Sequence, residues 1–283
     1  MAKSDNPLLE GLENTVTIAL AEDIGSGDVT ADLIATDTQA EAHVIVREAA
    51  IICGRPWFDK VFHQIDKNIT IHWLVEEGSY QTAETKVCVL KGNARQILTA
   101  ERPALNFLQT LSGTATTTAR YAAELKGTKT QILDTRKTIP GLRLAQKYAV
   151  ACGGGKNHRI GLYDQILIKE NHIMSAGSIK AAVEAARKKY PKLSVEVETE
   201  NLDEFEQALA AAVDMIMLDN YTQEDMIKAV AINQGKAKIE VSGNVTLENL
   251  KLIATTGVDY ISSGALTKNL QSIDLSMRFK MDA

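Results

Sequence analysis

The sequence predicts an α/β protein: a C-terminal α/β barrel preceded by a smaller N-terminal α/β domain of β-rich sandwich type. Three observations carry this. From about residue 130 onward, short apolar runs alternate with alanine-rich amphipathic segments, the pattern of repeated β-then-α units. Each apolar run ends in a small polar or ionisable residue, and a barrel gathers such strand ends on one rim. Both tryptophans, Trp57 and Trp73, fall in the first third of the chain among β-rich segments. The chain has 283 residues; at about 150 residues per domain, two domains are expected, 1–112 and 113–283.

Composition excludes several classes. With 45% hydrophobic and 24% charged residues, the chain is an ordinary globular protein and not collagen-like, disordered or a disulfide scaffold. A formal charge of −5 repels phosphate polymers and anionic bilayers, so neither nucleic acid nor membrane is expected as a partner. The longest apolar run is Ala208–Val213, and the N-terminus has no signal-type segment, which predicts a cytoplasmic protein. Cys53, Cys88 and Cys152 form no CxxC or other metal-ligand spacing and are expected to be reduced and mostly structural.

The N-terminal domain reads as strands in AHVIVREAAIICG, ITIHWLVEEGSY and TKVCVLKG, with turn residues between them. The segment ILTAERPALNFLQTLSGTATTTARYAAELKG is helical by the spacing of Leu105, Leu108, Leu111, Tyr121 and Leu125. Gly113 and the threonines after it predict a break, which places the domain boundary at Ser112–Gly113. Six strands follow: TQILDT, DQILIK, LSVEVE, DMIMLD, AKIEVS and VDYISS. Each is too short for a buried helix and suits a parallel strand covered on both faces. Helices are expected in SIKAAVEAARKKY, NLDEFEQALAAA, TQEDMIKAVAIN and TLENLKLIATT. A doubly wound sheet would collect only the strand ends at its switch point, and no GxGxxG follows the first of these strands, so the barrel is preferred.

The strand ends carry the candidate chemistry. Arg136 and Lys137 follow the first barrel strand, beside Thr135, and Lys169 follows the second. Any one such cation alone is more often a solvated charge. Two like charges about 4 Å apart repel by about 4 kcal/mol at an effective dielectric of ~20, so a cluster of them on one rim implies an anionic ligand. CGGGKNHRIGL is not a P-loop, because Asn157 follows the lysine and Val150 stands at the early glycine position. Its three glycines instead permit a sharp excursion that delivers His158 and Arg159 to the rim. Glu198 and Asp219, with Glu196 ranked lower, could stabilise an oxocarbenium-like carbon or hold Mg²⁺ bridged to a phosphate. The turns containing Ser242, Gly243 and Asn244, and Ser263, Gly264 and Ala265, suit a backbone phosphate cradle.

Taken together, ERPALNFLQTLSG, DTRKTIPGLR, GGGKNHRIGL, ILIKENHI, VEVE, IMLDN, EVSGN and SSGALT resemble the quinolinate phosphoribosyltransferase family, in order and over nearly the whole chain. The resemblance implies transfer of phosphoribose from phosphoribosyl pyrophosphate to quinolinate with decarboxylation, a requirement for Mg²⁺, and a homodimer whose sites are completed by the neighbouring subunit. It implies that Arg102 reaches into the partner's site and that Arg136, Lys137, His158, Arg159 and Lys169 surround the anions. It further implies that Glu198 and Asp219 lie near ribose and metal, and that 242–244 and 263–265 hold a phosphate. Two other readings are open on the residues alone: Lys169 as a Schiff-base lysine, and a barrel that only binds phosphorylated metabolites. The second leaves Glu198 and Asp219 beside anions without purpose.

Overall fold

A computed structural model describes residues 6–281. Its elements run, in chain order, α1 (Leu12–Ile24), β1 (Gln39–Val46), β2 (Ala50–Ile51), α2 (Arg55–Ile65), β3 (Thr70–Trp73), β4 (Tyr80–Gln81), β5 (Lys86–Asn93), α3 (Ala94–Glu124) and β6 (Gln131–Leu133). They continue with α4 (Arg143–Cys152), β7 (Ile166–Ile168), α5 (Glu170–Ala176), α6 (Ile179–Lys189), β8 (Val195–Thr199), α7 (Leu202–Ala210), β9 (Met215–Asp219) and α8 (Gln223–Asn233). The last are β10 (Lys238–Ser242), α9 (Leu247–Ala254), β11 (Tyr260–Ser262), α10 (Ala265–Lys268) and β12 (Leu275–Met281). They form two compact units, 6–119 with 139–154 and 269–281, and 120–138 with 155–268.

The first unit is built on an antiparallel sheet in the order β12-β1-β5-β3, with β2 and β4 paired separately. Ala42, Val44 and Val46 alternate along β1 onto a buried core shared with Trp57, Phe58, Val61 and Phe62 of α2 and Ile97, Leu105, Leu108 and Leu111 of α3. Helices therefore complete this α/β sandwich, each large apolar side chain contributing about 1.5–3 kcal/mol on burial.

The helix break expected at Gly113 does not occur, and the expected boundary falls inside an unbroken α3. Glycine is required there for close approach: a Cβ on Gly113 would lie 2.2 Å from the backbone oxygen of Gln271. Thr114 and Thr118 are fully buried, and the Thr118 hydroxyl donates back to the Thr114 carbonyl at 2.8 Å. Packing here overrides weak helix propensity.

In the second unit six strands run parallel in the order β6-β11-β10-β9-β8-β7. The first strand of the unit pairs with the last, which an open doubly wound sheet does not do; the sheet is a barrel. Beyond β6, Lys156 forms a parallel bridge with Leu133, so the chain that returns after α4 rejoins the barrel at that edge. Ser178, Asn201 and Thr222 cap α6, α7 and α8 by accepting from the amides of Ala181, Glu204 and Asp225, and Thr246 caps α9 in a capping box with Asn249. These caps start α7, α8 and α9 shortly beyond the C-terminal ends of β8, β9 and β10, holding the βα turns on one rim. Among the described residues, no helix is long and apolar enough to cross a membrane.

Candidate active site

The rim of the second unit can be followed from strand to strand through side-chain contacts. Asp134, fully buried just after β6, accepts the backbone N–H of His158 at 2.9 Å and the Asn157 amide at 2.6 Å. This fixes the end of the glycine run against the barrel. Asp164 shapes the next residues by accepting from the amides of Ile160 (2.7 Å) and Gly161 (2.9 Å). His158 then projects inward. Its Nε2 lies 2.8 Å from a Glu196 carboxylate oxygen and 3.4 Å from one of Glu240, both side chains fully buried. Gln165 donates to the same Glu196 oxygen at 3.0 Å.

Two carboxyl groups beside one imidazole cannot both ionise cheaply. Burial, and then the neighbouring Glu196 carboxylate, push the Glu240 carboxyl up to about 8, so at neutral pH Glu240 holds a proton. Arg159 is half-buried; burial first, and then the nearby Arg136 guanidinium, lower its pKa from the usual arginine value. The Arg136 charge felt at Arg159 is a repulsion that a bound anion would relieve.

At the end of β7, Lys169 Nζ is hydrogen-bonded to Glu198 on β8. The Asp219 carboxyl, at the end of β9, is raised by burial and by the Glu198 charge, while Lys169, the Asn220 amide and Lys137 pull it down. Lys137, Lys169, Glu198 and Asp219 therefore share one electrostatic neighbourhood. Lys137 is itself held at its backbone: its N–H donates to Thr135 Oγ1 at 3.0 Å, and its carbonyl accepts from the Thr267 hydroxyl at 2.8 Å.

The two glycine turns close the rim. Asn220 has φ +57 and donates to Asp219 at 2.9 Å while accepting from Asn244 at 3.2 Å, and its backbone N–H donates to the Ser242 carbonyl at 3.1 Å. Gly243 has φ +91, and a Cβ there would lie 2.2 Å from Asn220 Oδ1, so only glycine fits. At Gly264 a Cβ would lie 2.9 Å from Lys137 Cδ. Ser263 donates its N–H to the Leu133 carbonyl at 3.0 Å and accepts from the Ala265 amide at 3.3 Å.

The structure thus brings Thr135, Arg136, Lys137, His158, Arg159, Lys169, Glu198, Asp219, 242–244 and 263–265 to one end of the second unit. Arg102 is not among them: it is exposed on α3 in the first unit. Sequence reasoning missed Asp134 as the anchor of the glycine run, Asn157, Gln165, Asn220 and Glu240. Glu240 had a readable signal, since it stands two residues before Ser242 in an apolar strand, just as Glu196 stands two before Glu198, and period-two geometry sends both inward.

Comparison with known proteins bears directly on this arrangement. Residues 28–112 match the family model described as quinolinate phosphoribosyl transferase, N-terminal domain, and residues 114–278 match that of the C-terminal domain. The chain is 44% identical over 263 residues to the probable nicotinate-nucleotide pyrophosphorylase (carboxylating) of Synechocystis sp., covering 92% of this chain and 89% of that protein. It is 40% identical over 288 residues to the chloroplastic nicotinate-nucleotide pyrophosphorylase (carboxylating) of Arabidopsis thaliana, covering 94% and 82%. The solved nicotinate-nucleotide pyrophosphorylase of Francisella tularensis superposes with a TM-score of 0.94 at 52% identity over 98% of each chain. Both parts of the molecule, and the barrel that carries the rim, place this chain in the quinolinate phosphoribosyl transferase family.

Proposed function

We propose that the chain transfers phosphoribose from phosphoribosyl pyrophosphate to the ring nitrogen of quinolinate with decarboxylation, forming nicotinate mononucleotide, pyrophosphate and CO2 for NAD biosynthesis. The observation that carries this reading is the charge layout: a basic rim from β6, the glycine-run loop and β7 faces the carboxylates of β8 and β9. A dicarboxylate acceptor and a pyrophosphorylated donor together need this many cations, and a sugar carbon that becomes positive needs the acids.

In this reading Arg136, His158, Arg159 and Lys169 bind the two quinolinate carboxylates, each charge-assisted hydrogen bond contributing about 1.5–3 kcal/mol. Glu196, fixed between Gln165 and His158, sets the imidazole orientation. The bound ring nitrogen attacks the anomeric carbon as the bond to pyrophosphate breaks, and Glu198 and Asp219 stabilise the positive charge that develops there. Lys137 offsets charge on the departing pyrophosphate. The 242–244 and 263–265 turns hold the sugar phosphate. The carboxylate next to the ring nitrogen then leaves as CO2, its electron pair stabilised by the quaternary pyridinium, and that ring carbon takes up a proton.

Glu198 and Asp219 also fit Mg²⁺: both offer hard oxygen donors, and the Glu198 charge that raises the Asp219 carboxyl is the kind of repulsion a divalent cation relieves. When bound, Mg²⁺ supplies charge neutralisation at the pyrophosphate. The same reading includes a cytoplasmic homodimer in which each Arg102 serves the partner's rim, consistent with its exposure on α3. The test is pyrophosphate and CO2 release from quinolinate and phosphoribosyl pyrophosphate, with and without Mg²⁺. Both products are expected in equal amounts and only with the metal; absence of turnover on quinolinate overturns the assignment.

A further inference from the structure

The first unit holds a second group of ligand-type side chains that the proposed reaction does not use. Cys53 immediately precedes Gly54, the N-cap residue of α2. Cys152 is the last residue of α4, and Glu77 lies in the turn that leads to β4. The two Sγ atoms and a Glu77 carboxylate oxygen lie within 4.8 Å of one another, with Cys53 buried and the other two partly so. Three segments remote in sequence therefore converge their donor atoms on one point.

Glu77 is held in place there. One of its oxygens accepts the Gly54 N–H at 2.7 Å and the other the Arg55 N–H at 3.3 Å. Tyr148, whose ring packs edge-on against Trp57 at 5.3 Å, brings its hydroxyl beside the same carboxylate. Gly78, at φ +76, keeps the turn against Cys152: even a Cβ there would lie 3.4 Å from the Cys152 carbonyl oxygen.

We propose that Cys53, Cys152 and Glu77 form a zinc-binding site in the first unit. Two sulfur donors select a borderline-soft ion such as Zn²⁺ over the Mg²⁺ or Ca²⁺ that oxygen-only sites take. Tetrahedral bonds of about 2.3 Å to sulfur and 2.0–2.2 Å to oxygen put donor atoms roughly 3.6–3.8 Å apart. The group, already within 4.8 Å, has to draw in by no more than about 1 Å. A water molecule completes the tetrahedral set. The amides of Gly54 and Arg55 and the Tyr148 hydroxyl form the outer hydrogen-bonding layer that ligating carboxylates need. Binding forms two Zn–S bonds and one Zn–O bond and releases both thiol protons to solvent, with no change in oxidation state. The ion ties the start of α2 and the Glu77 turn to the end of α4, from which the Gly153–Gly155 run departs.

The test uses the full-length, reduced protein, freed of metal by a chelator and titrated with Co²⁺ and then Zn²⁺ alone. One equivalent of metal per chain is expected, with a near-ultraviolet thiolate-to-cobalt charge-transfer band that Zn²⁺ abolishes. Cys53→Ser and Cys152→Ser are expected to lose the band and bind Zn²⁺ about tenfold or more weakly, whereas Cys88→Ala, which removes the thiol on β5, keeps both. The proposal is overturned if the unsubstituted protein shows no such band, a result independent of how the variants fold. It is equally overturned if the band survives in both serine variants, or if Cys53 and Cys152 oxidise to a disulfide at the same rate with and without equimolar zinc.

Discussion

At the scale of single residues, the Glu240 carboxyl in the barrel interior behaves unlike an exposed one. Its carboxyl stands at about 8 in the folded protein against an ordinary 4.5, so the folded state binds this proton more tightly than the unfolded chain does. The resulting stabilisation is complete below the unfolded value and is lost as pH rises through the folded one. Glu240→Gln keeps a neutral side chain of the same shape at every pH. Its melting temperature relative to the parent should therefore rise steadily from pH 5 to pH 8 in thermal circular dichroism; a constant difference would show that the carboxyl is already ionised at pH 5. Lys169→Met removes the partner of Glu198 and one of the charges that lower the Asp219 carboxyl. Loss of a preorganised charge of this kind costs about 10²–10³ in turnover, to be read from pyrophosphate release at saturating substrates. Arg136→Ala should instead raise the KM for quinolinate by about tenfold to a hundredfold, the equivalent of one charge-assisted bond, with a smaller effect on the KM for phosphoribosyl pyrophosphate.

At the scale of elements, α3 shows why sequence periodicity located the helix but not its length. The stripe Leu105, Leu108 and Leu111 is a local signal. The reason that Gly113 tolerates a helix is not local, because it lies in the carbonyl of Gln271, a residue over 150 positions away along the chain. Gly113→Ala should destabilise the protein even though alanine is the better helix former. Overpacking of this kind costs typically ~1–3 kcal/mol, and at about 2–4 °C per kcal/mol for a large domain the melting temperature should fall by several degrees. An unchanged or raised value would mean that the 269–281 segment yields readily. The barrel strands and their polar ends were readable because period and terminal residue are both written within five or six positions. By contrast, β12 pairs with β1 through registers such as Val44 with Met277, and nothing in LSMRFK announces a partner at the other end of the chain. The glycine run was readable as an excursion, but not its anchor, since Asp134 looks like any strand-end acid until the amides of Asn157 and His158 are seen to meet it.

At the scale of the whole molecule, a chain of net charge −5 concentrates cations at the mouth of one barrel, and Arg102 is exposed on α3 of the first unit. Strand-end logic cannot reach Arg102, because no barrel strand carries it; the role proposed for it requires a second copy of the chain. That role is separable from a merely structural one by mixing two damaged proteins. Arg102→Ala supplies an intact Lys169 but no arginine to its partner, while Lys169→Met supplies the arginine but has a dead rim. In a mixed dimer one site receives an intact rim from one chain and an intact Arg102 from the other, and the second site receives neither. Equal amounts of the two, unfolded and refolded together or exchanged at low concentration, pair at random, so about half the dimers are mixed and about half of their sites work. Pyrophosphate release should then recover to about one quarter of the parent rate, although each variant alone is nearly inactive. If Arg102 instead serves only its own chain, every site in every pairing lacks one group or the other, and mixing restores nothing.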